Sequence, residues 1–113
     1  MKKPLERDIQ KACLQWLSLV KVFAWRNNSA AMVIREGASR RFLRAGIVGG
    51  SDVLGILPGG RLMALEIKRP GGKTTEAQEA FLSRVRDAGG LALVITSVEE
   101  LIQQVSPLLA AGR

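Results

Sequence analysis

Apolar residues at Leu5, Ile9, Ala12, Cys13, Trp16 and Val20 recur at helical spacing, while Glu6, Arg7, Gln10 and Lys11 fall mostly off that stripe. The pattern predicts an amphipathic helix from about Pro4 to Leu19. Pro4 suits its first turn, and Glu6 lies near the positive end of the helix dipole. The short apolar and aromatic run from Val22 to Arg26 reads as a strand, ended by Asn27-Asn28-Ser29. From Ala30 to Gly50 the period is lost. Arg35, Arg40, Arg41 and Arg44 stand among small and apolar residues before Gly46, Gly49 and Gly50, which reads as a basic loop or short strands leading into a tight turn.

The pattern sharpens at Asp52. Val53 to Leu57 and Leu62 to Lys68 flank the turn Pro58-Gly59-Gly60, a hairpin of two mostly buried strands. The loop Pro70-Gly71-Gly72-Lys73 leads to a helix starting near Thr75, with Ala77, Phe81, Leu82 and Val85 as its apolar stripe and Gly89-Gly90 as its stop. Leu91 to Ile95 reads as a fully buried strand, and Val98 to about Leu109 as a last helix opening after Ser97. The strand, helix, strand order from Leu62 to Ile95 fits a right-handed crossover with parallel strands. The expected architecture is an α/β fold in which a central mixed sheet is flanked by helices. No repeat or linker divides the chain, so residues 1–113 are expected to form a single domain.

Composition narrows the chemistry. Lys and Arg number 17 against 10 Asp and Glu, a net charge of +7, which favours a polyanion such as DNA or RNA over mere solubility by charge. No apolar run approaches the roughly 18 residues of a membrane span, and the charged start Met-Lys-Lys-Pro-Leu-Glu-Arg-Asp does not resemble an export signal, so a soluble, cytoplasmic protein without a membrane partner is expected. Cys13 is the sole cysteine and histidine is absent, which removes intramolecular disulfides and the usual zinc, haem and Cys/His constellations. Any metal must be held by oxygen. Cys13 lies on the first helix's apolar stripe and is expected to be inert, and Trp16 and Trp25 read as core residues.

On a strand, Glu66 and Lys68 share a face, with Met63, Leu65 and Ile67 turned to the core on the other. Counting outward from the turn brings Asp52 within a residue or two of both. Two acids and a lysine converge, a set that suits Mg²⁺ or Mn²⁺ and a phosphate oxygen. Singly, Glu66 and Lys68 read as an ordinary ion pair and Asp52 as a turn cap. Their coincidence on strands that are otherwise apolar favours function, because buried polar groups are costly. Gly72-Lys73-Thr74 is no P-loop, since that motif needs glycine where this chain has Ile67, and no nucleotide cofactor is expected. Lys73 reads better as a contact to DNA phosphate. Arg26, Arg35, Arg40, Arg41 and Arg44 are candidates for a backbone-gripping surface.

Asp52 followed on the next strand by Glu66-Ile67-Lys68 resembles the PD-(D/E)XK nuclease superfamily. More specifically, Glu6, Gly49-Gly50-Ser51-Asp52, Glu66-Ile67-Lys68-Arg69 and Gly72-Lys73-Thr74-Thr75-Glu76-Ala77-Gln78, in that order, resemble the VRR-NUC (virus-type replication-repair nuclease) family from about Leu5 to Glu100. Ser51 departs from the proline of the superfamily name. The resemblance implies a restriction-endonuclease-like core and a divalent cation held by Asp52, Glu66 and the Ile67 carbonyl, with Glu6 contributing directly or through water. It implies that Lys68 orients or activates the attacking water, that cleavage leaves a 5′-phosphate and a 3′-hydroxyl, and that Gln78 stands beside the site. Thr75-Glu76-Ala77-Gln78 also satisfies a helix capping box, so Gln78 reads equally as catalytic or capping.

The expected function is therefore metal-dependent, structure-selective hydrolysis of DNA phosphodiesters. By analogy with stand-alone members of the family, a homodimeric Holliday-junction resolvase serving DNA repair is expected, since a two-fold dimer presents two sites to a two-fold branched junction. A phage or prophage origin would fit, which would place the protein in a host's cytoplasm. The alternatives are a non-catalytic basic DNA-binding module on the same fold, or a flap, RNA-directed or restriction-type nuclease.

Overall fold

Helical periodicity sets the first element, α1 (Glu6–Leu19), but the stripe it buries is narrower than the sequence pattern suggests. Ile9, Cys13 and Leu17, each four residues from the next, are buried, while Trp16 and Val20 pack only partly against the core and Leu5 is 40% exposed. Leu17 thus replaces Trp16 as the innermost residue, because a small aliphatic group fits the line of closest approach and a bulky indole fits its flank. The helix ends with Lys21 in the left-handed region at φ 63°, and Val22 N–H donates back to the Leu17 carbonyl at 2.9 Å.

The computed structural model describes residues 4–27, 31–36, 39–44 and 50–111, and within 31–36 and 39–44 it describes the backbone alone. After α1 come β1 (Phe23–Arg26), β2 (Ala31–Glu36), β3 (Ser39–Arg44), β4 (Val53–Leu57), β5 (Arg61–Ile67), α2 (Glu76–Asp87), β6 (Leu91–Ile95) and α3 (Val98–Ala111). The ambiguous basic stretch resolves into an antiparallel ribbon of β2 and β3, with Arg35 opposite Arg40. Gly46 and Gly49, expected in a tight turn, lie outside the described residues.

Four strands form the main sheet in the order β1-β4-β5-β6, antiparallel except for the β5–β6 pair. A tight loop lets β4 and β5 pair directly, with Leu57 opposite Arg61, and Gly59 and Gly60 supply the positive φ values of 87° and 85° that this loop demands. The β5–β6 pair is parallel because α2 carries the chain back across the sheet. This is the mixed, helix-flanked α/β sheet the sequence pattern predicts.

The sheet is covered on both faces, and that decides where the polar residues go. Met63, Leu65 and Ile67 of β5 join Val53, Leu57 and Ile95 with Ile9, Cys13, Leu17, Leu101, Val105 and Leu109 from α1 and α3. On the opposite face Ala64 and Ala92 lie under Leu82 and Val85 of α2, the small alanines allowing the helix to come close. Ala77, counted in the apolar stripe of α2, is instead exposed, because the apolar contact of that helix with the sheet is made by Phe81, Leu82 and Val85.

Two expectations about burial fail for one reason. Strand β6 is not fully buried, since Val94 is 39% exposed, and Trp25 is not a core residue, since it is 37% exposed and stacks on Phe23 with ring centroids 5.0 Å apart. Both strands stand at sheet edges, where each has a neighbour on one side only. Trp16 does pack against the core, as expected.

Candidate active site

Asp52, Glu66, Lys68 and the start of α2 meet at the end of the sheet where β5 and β6 finish and β4 begins. The pairing of Val53 with Leu65 puts Asp52 opposite Glu66, within the residue or two that hairpin counting allows. Carboxyl ends of parallel strands are a common place for ligands, because the ladder ends there and helices begin.

Each acid is fixed by a different element. The Ile67 backbone N–H donates to Asp52 Oδ2 at 2.8 Å, extending the β4–β5 contact with a side chain in place of a carbonyl. Asp52 is further held through its own carbonyl, which accepts from Asn27 N–H at 2.9 Å at the end of β1. Glu66 is 1% exposed, and its Oε1 accepts from Gln78 Nε2 at 2.9 Å. Lys68 Nζ lies 4.0 Å from the same oxygen, its backbone tied to β6 by a 3.0 Å bond to the Ile95 carbonyl.

Gln78 caps α2 and also contacts Glu66. Its backbone N–H donates to Thr75 Oγ1 at 3.2 Å, its Oε1 accepts from Thr75 N–H at 2.8 Å, and its Nε2 reaches Glu66. The capping box and the contact to the acid use different ends of one side chain.

The electrostatics of Glu66 are unusual. Its carboxyl is pushed from an ordinary 4.5 up to about 8, first by burial and then by the neighbouring Asp52 carboxyl. Lys68 pulls in the other direction, and Glu6 adds a small upward push from α1. Glu6 is thus close enough to be felt. Among the described residues, however, no three His, Cys, Asp or Glu side chains are grouped closely enough to hold a metal ion, so Glu6 stands apart from the Asp52–Glu66 pair.

Asn27 Nδ2, Ser51 Oγ and Glu66 Oε2 are buried side-chain atoms without a hydrogen-bond partner among the described residues. They belong to residues that flank Asp52: its backbone partner, its predecessor and its neighbour across the hairpin. An unsatisfied buried polar atom is costly, and several at one place mark a site that a polar ligand would complete. Two carboxylates, one with a free buried oxygen, plus carbonyls and water, make the all-oxygen donor set that Mg²⁺ and Mn²⁺ accept. The residues fit such a cation.

Neither Asn27 nor Ser51 is among the site residues that the sequence points to. The available signal was faint: an amide closing an apolar strand, and a hydroxyl where the superfamily pattern has proline. Arg26 is exposed at the end of β1, and Lys73 is exposed in the loop before α2. The side chains of Arg35, Arg40, Arg41 and Arg44 lie outside the described residues. Cys13 is fully buried, and burial pushes its thiol up to about 11, which keeps it unreactive at neutral pH. No helix among the described residues is long and apolar enough to cross a membrane.

A sequence model of one family, described as the VRR-NUC domain, matches residues 5–99 of the chain. No curated protein matches it significantly.

Proposed function

The chain belongs to the VRR-NUC domain family and so has a nuclease-type function, and from that premise we propose that it is a divalent-metal-dependent, structure-selective DNA endonuclease acting as a homodimer on four-way junctions. The observation that carries the metal-dependent reading is the buried Glu66 Oε2, which lies beside Asp52 and has no hydrogen-bond partner among the described residues. Asp52 and Glu66 would hold Mg²⁺ or Mn²⁺, with the Ile67 carbonyl as a further oxygen and Glu6 reaching it through water. The chemistry a cation supplies there is a lowered pKa for a water molecule and neutralisation of charge building on the phosphate.

The chain's own groups do the rest. Ile67 N–H fixes the Asp52 carboxylate, and Gln78 fixes that of Glu66, so neither must reorganise when substrate arrives. Lys68, 13% exposed, presents its ammonium to orient the attacking water and to stabilise negative charge as the phosphodiester is displaced. Arg26 and Lys73 lie on exposed positions suited to DNA phosphates.

An apolar surface supports the dimer. Helix α2 covers β5 and β6 but leaves Phe23, Trp25 and Ile56 exposed on the outer half of the same face, next to a groove of about 410 Å³ lined by Leu54, Leu62, Phe81, Arg84, Val85 and Ala88. Self-association there would bury aromatic area that water otherwise contacts.

The test is cleavage of labelled four-way junction, flap, linear duplex and single strand with Mg²⁺, Mn²⁺ or EDTA, for wild type, Asp52→Ala and Lys68→Ala. Junction cutting that needs metal and is lost in both variants is the expected result. Flap cutting with an intact junction would reject the resolvase assignment. Binding without cutting of any substrate would reject catalysis in favour of a DNA-binding module.

A further inference from the structure

Glu66 has two carboxylate oxygens in different circumstances, one accepting from Gln78 and the other buried without a hydrogen-bond partner among the described residues. Which oxygen is committed depends on which way the Gln78 amide faces. That amide could in principle sit either way round. Thr75 settles the matter, because a backbone N–H can only donate: the Gln78 oxygen must face Thr75 N–H, 2.8 Å away, and the NH₂ must face Glu66. The reverse orientation would set two donors, the Thr75 N–H and the Gln78 NH₂, against each other. Thr75 Oγ1 adds the second half of the clamp by accepting from Gln78 N–H, which holds the first turn of α2 in register.

We infer that Thr75 is a positioning residue: by orienting the Gln78 amide it commits Glu66 Oε1 to α2 and leaves Oε2 alone to a divalent cation. The helix cap and the acid site are one hydrogen-bonded chain, Thr75 to Gln78 to Glu66. The inference rests on the cation reading proposed above, but the orientation of the amide is a property of the protein without metal. Groups that orient a ligand carboxylate in this way alter metal affinity when removed, by about tenfold or more.

Three substitutions in the full chain separate positioning from simple capping. Thr75→Ala removes the hydroxyl. Thr75→Pro removes the orienting N–H as well, at a backbone φ of −85° that proline tolerates. Ser97→Ala is the control, since Ser97 Oγ caps α3 by accepting from Glu100 N–H at 3.2 Å and holds no part of the Gln78 chain. Two quantities are read: Mn²⁺ affinity by calorimetry with the metal alone, and the Gln78 side-chain amide resonances of the metal-free protein by NMR. The expected result is about tenfold weaker Mn²⁺ binding in Thr75→Ala and a larger loss in Thr75→Pro. The two Nε2 proton signals should lose their separation and exchange faster, Thr75→Ser should restore both readings, and Ser97→Ala should lower thermal stability while moving neither. If Thr75→Ala and Thr75→Pro behave like Ser97→Ala, the inference is overturned. If wild type takes up no Mn²⁺, the cation reading fails on its own, and the amide resonances still decide: unchanged in both Thr75 variants, they overturn the positioning role as well.

Discussion

Replacing Glu66 by glutamine keeps the shape of the side chain and removes its charge, and without metal the protein should become more stable for it. The carboxyl titrates near 8 in the folded chain against an ordinary 4.5. Because the folded value is the higher one, the stability tied to the protonated form is complete below about pH 4.5 and is lost as pH rises through about 8. A gap of about 3.5 between the two values, at about 1.4 kcal/mol per unit, sets a ceiling of ~5 kcal/mol on the cost of ionising Glu66 in place. Local relaxation and water entry lower that cost, so Glu66→Gln should gain about 2–5 kcal/mol over wild type at pH 9. At about 4 °C per kcal/mol for a chain of this size, the melting temperature should rise by ~8–20 °C. The assay is thermal unfolding of both proteins in EDTA from pH 4 to 9. The difference between them should widen with pH, and saturating Mn²⁺ should then stabilise wild type but not the variant. Parallel melting curves across the whole range would refute the argument, since Glu66 would then ionise as an ordinary surface acid does.

The same raised value makes cation binding release a proton: Mn²⁺ affinity should climb close to tenfold per pH unit between pH 6 and 7.5 and level off above 8, as read by calorimetry in buffers of different ionisation heat. Lys68→Ala should lower kcat by about 10²–10³ while leaving Mn²⁺ affinity within a few-fold, because its ammonium acts on developing charge and is not a ligand. Ser51→Ala should be neutral or stabilising by up to about 2 kcal/mol in denaturant unfolding, since it removes a fully buried hydroxyl that has no hydrogen-bond partner among the described residues. Gly90→Ala should destabilise by about 1–3 kcal/mol, because an added Cβ would lie 2.6 Å from Val85 Cγ1 and 3.0 Å from the Leu62 carbonyl oxygen, and the backbone contact cannot yield; an unchanged denaturation midpoint would contradict this.

What sequence alone determined here is what short-range physics determines. Short apolar runs bounded by turn residues and helical spacing predicted every element of the main sheet and its helices, because buried strands are short and apolar and side-chain direction on a helix has a period of about 3.6. The Pro58-Gly59-Gly60 turn set the hairpin register closely enough to bring Asp52 opposite Glu66, since a tight loop leaves few ways to pair its strands. The absence of histidine and the single cysteine limited any metal site to oxygen donors before any fold was considered. Tertiary structure decided what depends on distant neighbours. That Trp25 and Val94 are exposed follows from their strands being edges, which the residues themselves do not encode. That α1 points Leu17 inward follows from the shape of the surface it meets. The double duty of Gln78, both capping α2 and gripping Glu66, needed the crossover that returns the chain over the sheet, because two residues twelve positions apart meet only when the intervening loop and helix start are fixed in space. The raised pKa of Glu66 is of the same kind, a sum over burial, Asp52, Lys68 and Glu6 that exists only once three separate segments have converged.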